Sequence, residues 1–182
     1  MLLMSKSLLN RPVMSLRSGG QIALATEPVI NPHNLKVLGW WCKVAGQNNQ
    51  QVLLADDVRE IMPRGLAIND DSDLCVPEDL VRHREILNIH FQLMDKTVKT
   101  KRYKLGKISD YAYDQDSMFV EKLYVMRPLV KLFASEDTLI VSRNQIVEIT
   151  DKYILVKDAD VTVADEEPEE EMASAAEAIP ST

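Results

Sequence analysis

The chain has 182 residues, 28 acidic and 21 basic, a formal net charge of −7 and a hydrophobic content of 46%. That length allows one ordinary domain or two very small ones, and the apolar share is enough for a packed core. No apolar run approaches the roughly 18 residues a membrane-crossing helix needs, and the start, Met1-Leu2-Leu3-Met4-Ser5-Lys6, lacks a continuous apolar stretch with a small-residue cleavage site; no membrane association is expected. The charge is unevenly spread. Ala164 to Thr182 carries seven acids and no Lys or Arg, which leaves 21 acids against 21 bases in residues 1–163. The body is neutral and the tail holds the imbalance, so net charge excludes no class of partner, nucleic acid included. Cys42 and Cys75 form neither a CxxC pair nor a disulfide framework, which fits a reducing, cytoplasmic setting.

Taken in order, Leu8 to Leu16 predicts a first strand, with Pro12 confining it to an edge or a strand start. Ser18-Gly19-Gly20 is a hairpin turn and Ile22 to Thr26 its return. Prolines break the stretch from Pro28 to Asn34. Leu35 to Cys42 is the strongest strand of the first half, and Gly46 to Gln50 is a polar loop. A compact pattern follows: a strand Gln51 to Leu54, a turn Ala55-Asp56-Asp57, a strand Val58 to Met62, a turn Pro63-Arg64-Gly65, and a closing run Leu66-Ala67-Ile68. Behind the acid-rich loop Asn69 to Asp73, the segment Val76 to Asn88 reads as a short helix. Pro77, Glu78 and Asp79 suit its first turn, and Leu80, Val81, Arg84 and Leu87 recur at helical spacing.

The second half repeats the first. Met94 to Thr100 is a strand, Lys101 to Lys104 a turn, Leu105 to Tyr113 the return, Asp114 to Ser117 a turn, and Met118 to Val125 a strand. Thr138 to Lys157 then holds the runs Leu139 to Val141, Gln145 to Ile149 and Tyr153 to Val156. Val58-Arg59-Glu60-Ile61 lines up with Ile146-Val147-Glu148-Ile149, 88 positions on; Gly20 and Ile22 with Gly106 and Ile108 at 86; Trp40 with Tyr124 at 84. Two copies are too few for a solenoid, so a tandem pair is predicted. Short strands joined by tight turns cover their edges by curling into a small barrel. The expectation is an all-β protein of two small barrels, residues 8–69 and 92–160, a helix-containing linker at 70–91, and a disordered acidic tail at 161–182. Ile61, Leu123, Ile149 and Leu155 are expected to be largely buried.

This pattern resembles the PRC-barrel family. The resemblance rests on an early strand leading to a Gly-containing hairpin (Gly20, Gly106) and a strand ending in large residues (Trp40-Trp41, Leu123-Tyr124). A closing strand of polar-Val/Ile-x-Glu-Ile type and a final β-run follow, at Val58 to Ile68 and Ile146 to Val156. It covers residues 8–69 and 92–158. The resemblance implies the fold, found also in the reaction-centre H subunit and at the end of a ribosome maturation factor. It carries over no functional residue.

Asp114-Gln115-Asp116 begins like a calcium loop, but Phe119 and Val125 stand where Gly and Glu are required. His33, His83 and His90 lack metal-ligand spacing, and Asp56-Asp57 suits a turn. With no nucleophile elbow, phosphate-binding glycine loop or dinucleotide fingerprint, no catalytic residue, metal or cofactor is expected. Two features stand out. Trp40 and Trp41 are consecutive on a strand and point to opposite faces; one fills the interior, and the other is covered by the second unit or by a partner. Lys99, Lys101, Arg102, Lys104 and Lys107, with Tyr103 among them, form the densest basic run, at a hairpin whose counterpart, Arg17 to Gln21, carries one base. That run is either a solvated tip or a contact for RNA phosphates or the acidic tail. The expected function is a non-enzymatic protein-interaction or adaptor module with a protein partner. The alternatives are an RNA- or ribosome-associated factor and a small-ligand-binding protein.

Overall fold

The structure, a computed structural model, describes residues 1–127 and 138–157. The end of the second predicted barrel at 158–160 and the acidic tail at 161–182 lie outside the described residues. The alternating apolar runs form two seven-stranded sheets, one of them a half-barrel, and the chain is mainly β. In chain order the strands are β1 (Leu2–Met4), β2 (Arg11–Ser15), β3 (Gln21–Ile30), β4 (Val37–Val44), β5 (Gln51–Leu54), β6 (Val58–Met62), β7 (Gly65–Ile68) and β8 (Leu74–Cys75). After the α-helix α1 (Arg84–Ile89) come β9 (Thr97–Lys99), β10 (Lys104–Asp114), β11 (Val120–Met126), β12 (Thr138–Ser142), β13 (Ile146–Ile149) and β14 (Tyr153–Val156).

One sheet runs β6-β7-β2-β3-β4-β5-β8. The other runs β12-β11-β10-β9-β14-β13, with β1 added to β10. The same order therefore occurs twice, including a parallel pair that joins the last run to the first: Val13 lies opposite Leu66, and Val98 opposite Ile154. Register corrects two of the sequence offsets. The pairing of Val58 with Ile68 matches that of Ile146 with Val156, which keeps the offset of 88. In the long hairpins, Thr26 and Ser109 each sit at a bulge and donate a hydroxyl hydrogen bond, to the carbonyls of Trp41 and Tyr124, both at 3.1 Å. Trp41, not Trp40, is thus the counterpart of Tyr124, and Leu123 is that of Trp40. Ala23, opposite Val13, corresponds to Gly106, opposite Val98. Matching Gly20 to Gly106 by residue type slipped the register because the two preceding turns differ in length.

Most of the buried side chains form one core across both sheets, including Trp40, Leu53, Ile68, Leu93, Ile108, Leu123 and Ile154, and Val29, Val52 and Leu87 form a second, smaller cluster. Leu123 is buried as expected. Ile61, Ile149 and Leu155 are only half-buried: the first two sit on the edge strands β6 and β13 at the rim of the core, and Leu155 alternates with the buried Ile154 and Val156. The predicted helix over Val76 to Asn88 is divided. Two 3-10 turns, Pro77–Asp79 and Val81–His83, precede α1, because Leu80 leaves helical geometry and Val81 is 69% exposed rather than part of a buried stripe. At the start, Leu8 belongs to a 3-10 turn, Ser5–Leu8, and the left-handed backbone of Asn10 separates it from β2.

The halves meet tip to tip. Leu35 and Met118, at equivalent places in the β3–β4 and β10–β11 loops, both adopt φ of 59°, and each donates its N–H to the residue four before it at 2.8 Å. Lys36 bridges Phe119. The Val37 N–H donates to the Met118 carbonyl at 2.8 Å, and the Val120 N–H to the Leu35 carbonyl at 3.0 Å. This reciprocal exchange is the geometry of a two-fold contact, made here within one chain. Positive φ is unfavourable for residues with a β-carbon; burial of both side chains offsets it.

Candidate functional site

The internal two-fold makes each surface comparable with its counterpart. On β10, the outer edge beyond the pairing with β9 takes up β1: Met4 lies opposite Ala112, Leu3 opposite Tyr113 and Leu2 opposite Asp114. The next residue, Ser5, donates its hydroxyl to the Asp110 carboxylate. The equivalent edge of β3 is Glu27 to Ile30. There β2 reaches only as far as Ala25, and no described strand pairs beyond it.

The repeat extends to this region. Leu8 and Leu93 are both buried, and Asn10 and Asp95, each two residues on, both have left-handed backbones. By the same spacing the counterpart of β1 is Leu87 to Ile89, which lies in α1 instead of forming a strand. His90, itself left-handed, ends the helix. A cavity of about 330 Å³ is left against the open edge. Pro28, Val29, Ile30, Trp41, Leu87, His90, Phe91, Leu93 and Tyr111 are among its walls. Trp41 is half-buried, and its ring stacks on that of His90 with centroids 5.4 Å apart and planes 19° apart. Glu27 also lines the cavity, with its side chain exposed. Tyr111 and its hydroxyl lie in that wall, the residue 3% exposed. Burial, reinforced by Asp110, holds that hydroxyl well above the ordinary tyrosine pKa, so it stays a neutral donor.

No family model matches this sequence, and no curated protein does either.

The two predicted surfaces fall apart from one another. Trp40 is the interior tryptophan, 1% exposed, and its indole N–H has no acceptor among the described residues. Trp41 is the outward one, and its cover is His90 of the linker. None of the basic residues lines the cavity. Lys99 lies over the Tyr153 ring at 3.5 Å, while Lys101, Arg102, Lys104 and Lys107 are exposed, with Tyr103 at 51%. The turn that carries them is held by Thr100, which is buried and accepts the N–H groups of Arg102 and Tyr103 at 3.2 Å each.

Sequence reasoning missed His90, Phe91, Tyr111 and the open edge itself. The signal was present in the spacing of Leu8 and Asn10 against Leu93 and Asp95, which carries the repeat back to Leu2. The helical spacing of Leu80, Arg84 and Leu87 concealed it. Among the described residues, no group of three His, Cys, Asp or Glu side chains is placed to hold a metal ion, and no helix is long and apolar enough to cross a membrane.

Proposed function

We propose that this chain is a non-enzymatic protein-interaction module of two PRC-type barrels, and that its binding site is the cavity beside β3. One observation carries the reading: a strand edge with which no described strand pairs borders an apolar cavity, while the equivalent edge of β10 already holds a strand. Backbone N–H and C=O groups on an open edge need partners, and an added strand supplies them while its side chains enter the neighbouring pockets. The barrel reading draws support from the six-strand order written twice, with a parallel closing pair in each copy. Of the wall residues, Trp41 stacks on His90, Phe91 lies under the Lys96 ammonium, and Ser5 donates outward to Asp110.

The test places a photo-crosslinking side chain at Ile86, in the cavity wall, and separately at Lys152, outside that cavity, in the full chain within its native cell. A protein segment captured from Ile86, absent from Lys152 and lost with Trp41→Ala, is the expected result. Capture of a small molecule alone from Ile86 would overturn it.

A second reading has its own observation. The turn from Thr100 to Lys104 is held rigid with Lys101 and Lys104 in solvent beside an exposed Tyr103, which suits phosphate contact with base stacking on single-stranded RNA. Salt-sensitive RNA binding that disappears in a Lys101→Gln, Lys104→Gln variant would favour it over the first.

A further inference from the structure

We propose that the segment bound beside β3 runs antiparallel to it and carries two successive apolar residues followed by a hydroxyl or cationic residue that meets Glu27. This inference rests on the interaction-module reading and specifies its ligand. The internal two-fold transfers the register of β1 on β10 to β3. Asp114, Tyr113 and Ala112, which face Leu2, Leu3 and Met4, correspond to Asn31, Ile30 and Val29. The middle residue of the segment then lies beside Ile30, which belongs to the main core, as Leu3 packs against that core in the other half. The third lies beside Val29, which clusters with Trp41 and Leu87 on the opposite face. Both positions are therefore apolar.

The fourth residue is set by charge. Asp110 corresponds to Glu27, and Asp110 accepts the Ser5 hydroxyl immediately after β1. Glu27 is exposed, and its carboxylate has no hydrogen-bond or ion-pair partner among the described residues. A Ser, Thr, Lys or Arg placed as Ser5 is placed gives it a donor, and an acidic residue there is repelled. Pro28, which has no N–H to offer, is no obstacle. Its counterpart Tyr111 donates its backbone N–H to the Asp110 side chain at 2.7 Å, not to β1, so strand addition at this position uses no donor.

The experiment titrates the full chain with peptides blocked at both ends, Gly-Leu-Leu-Met-Ser-Gly and its versions with lysine or glutamate in place of serine. Amide and indole NMR shifts of Val29 and Trp41 report on the site. The serine and lysine peptides are expected to shift both residues, with the glutamate peptide at least about tenfold weaker, a difference of about 1.4 kcal/mol. Glu27→Gln should remove that discrimination and leave binding of the serine peptide in place. Equal binding of all three peptides at Val29 would overturn the charge rule and leave the module reading standing. Peptides that leave Val29 and Trp41 unmoved would overturn both. Sedimentation at rising protein concentration runs alongside. A dimer that the serine peptide dissociates would assign the edge to a second copy of this chain and overturn the foreign segment.

Discussion

Trp40 and Leu123 hold the same place in the two halves, and so do Ala23 and Gly106, yet each pair differs in size. The first half sets an indole where the second sets a leucine, and the second leaves out a methyl group that the first keeps. In the second half, a β-carbon at Gly106 would lie 2.0 Å from the Met126 carbonyl oxygen. In the first half, Gly39 and Gly65 are under the same constraint, 2.0 Å from the Leu53 and 2.4 Å from the Pro12 carbonyl oxygen, and in the place of Gly39 the other half has Lys122. The lesson is that the repeat resides in strand register and turn geometry. Side-chain volume has been redistributed around it, as close packing of the shared core allows.

Substitutions that exchange the halves test this comparison. The largest effect is expected at Trp40. Trp40→Ala should cost about 4 kcal/mol through the cavity it opens. Trp40→Leu, which installs the residue of the other half and removes a buried N–H with no acceptor among the described residues, should cost about 2 kcal/mol less. Urea unfolding of both variants measures the difference, and equal losses would break the correspondence of Trp40 with Leu123. Next comes Gly106→Ala, expected to cost about 3 kcal/mol because β11 must move, against about 1 kcal/mol for the mirror change Ala23→Gly.

A smaller effect appears only in alkali. Burial pushes the Cys42 thiol from 9.0 up to about 12. The folded state therefore keeps its proton where the unfolded state loses it. This contribution is fully present below pH 9 and is lost as pH rises through 12, with a slope of up to about 1.4 kcal/mol per pH unit. Cys42→Val, which copies the Val125 of the other half, should flatten the stability profile between those limits in thermal melts. A variant that follows the wild-type slope would place the titration elsewhere. Smallest of all, Lys101→Gln with Lys104→Gln should change the unfolding free energy from urea titration by no more than about 0.5 kcal/mol, because both side chains are exposed. A larger loss would mean that the basic turn supports the fold.

What the sequence made legible was local. The strand, turn and strand of Val58 to Ile68 and of Ile146 to Val156 were readable because period-two alternation and tight turns are coded within a few residues. The basic hairpin was readable for the same reason. The open edge was not. It depends on β1 pairing with a strand more than a hundred residues away, and on Leu87 to Ile89 taking helical rather than extended geometry; neighbouring residues alone decide neither. The partner of Trp41 was hidden likewise, because only the left-handed turn at His90 brings that ring onto the indole.

The reciprocal bridge between Lys36 and Phe119 has one further effect. Across an axis between two identical chains, every substitution occurs twice, so a change that opened one edge or charged one tip would do the same on the other side. Here the axis lies inside a single chain, and each substitution occurs once. Leu35 and Met118 keep the same bend with different side chains. Around that shared bend, one edge has been free to close on β1 while the other stayed open, and one hairpin has become cationic while its twin kept a single base.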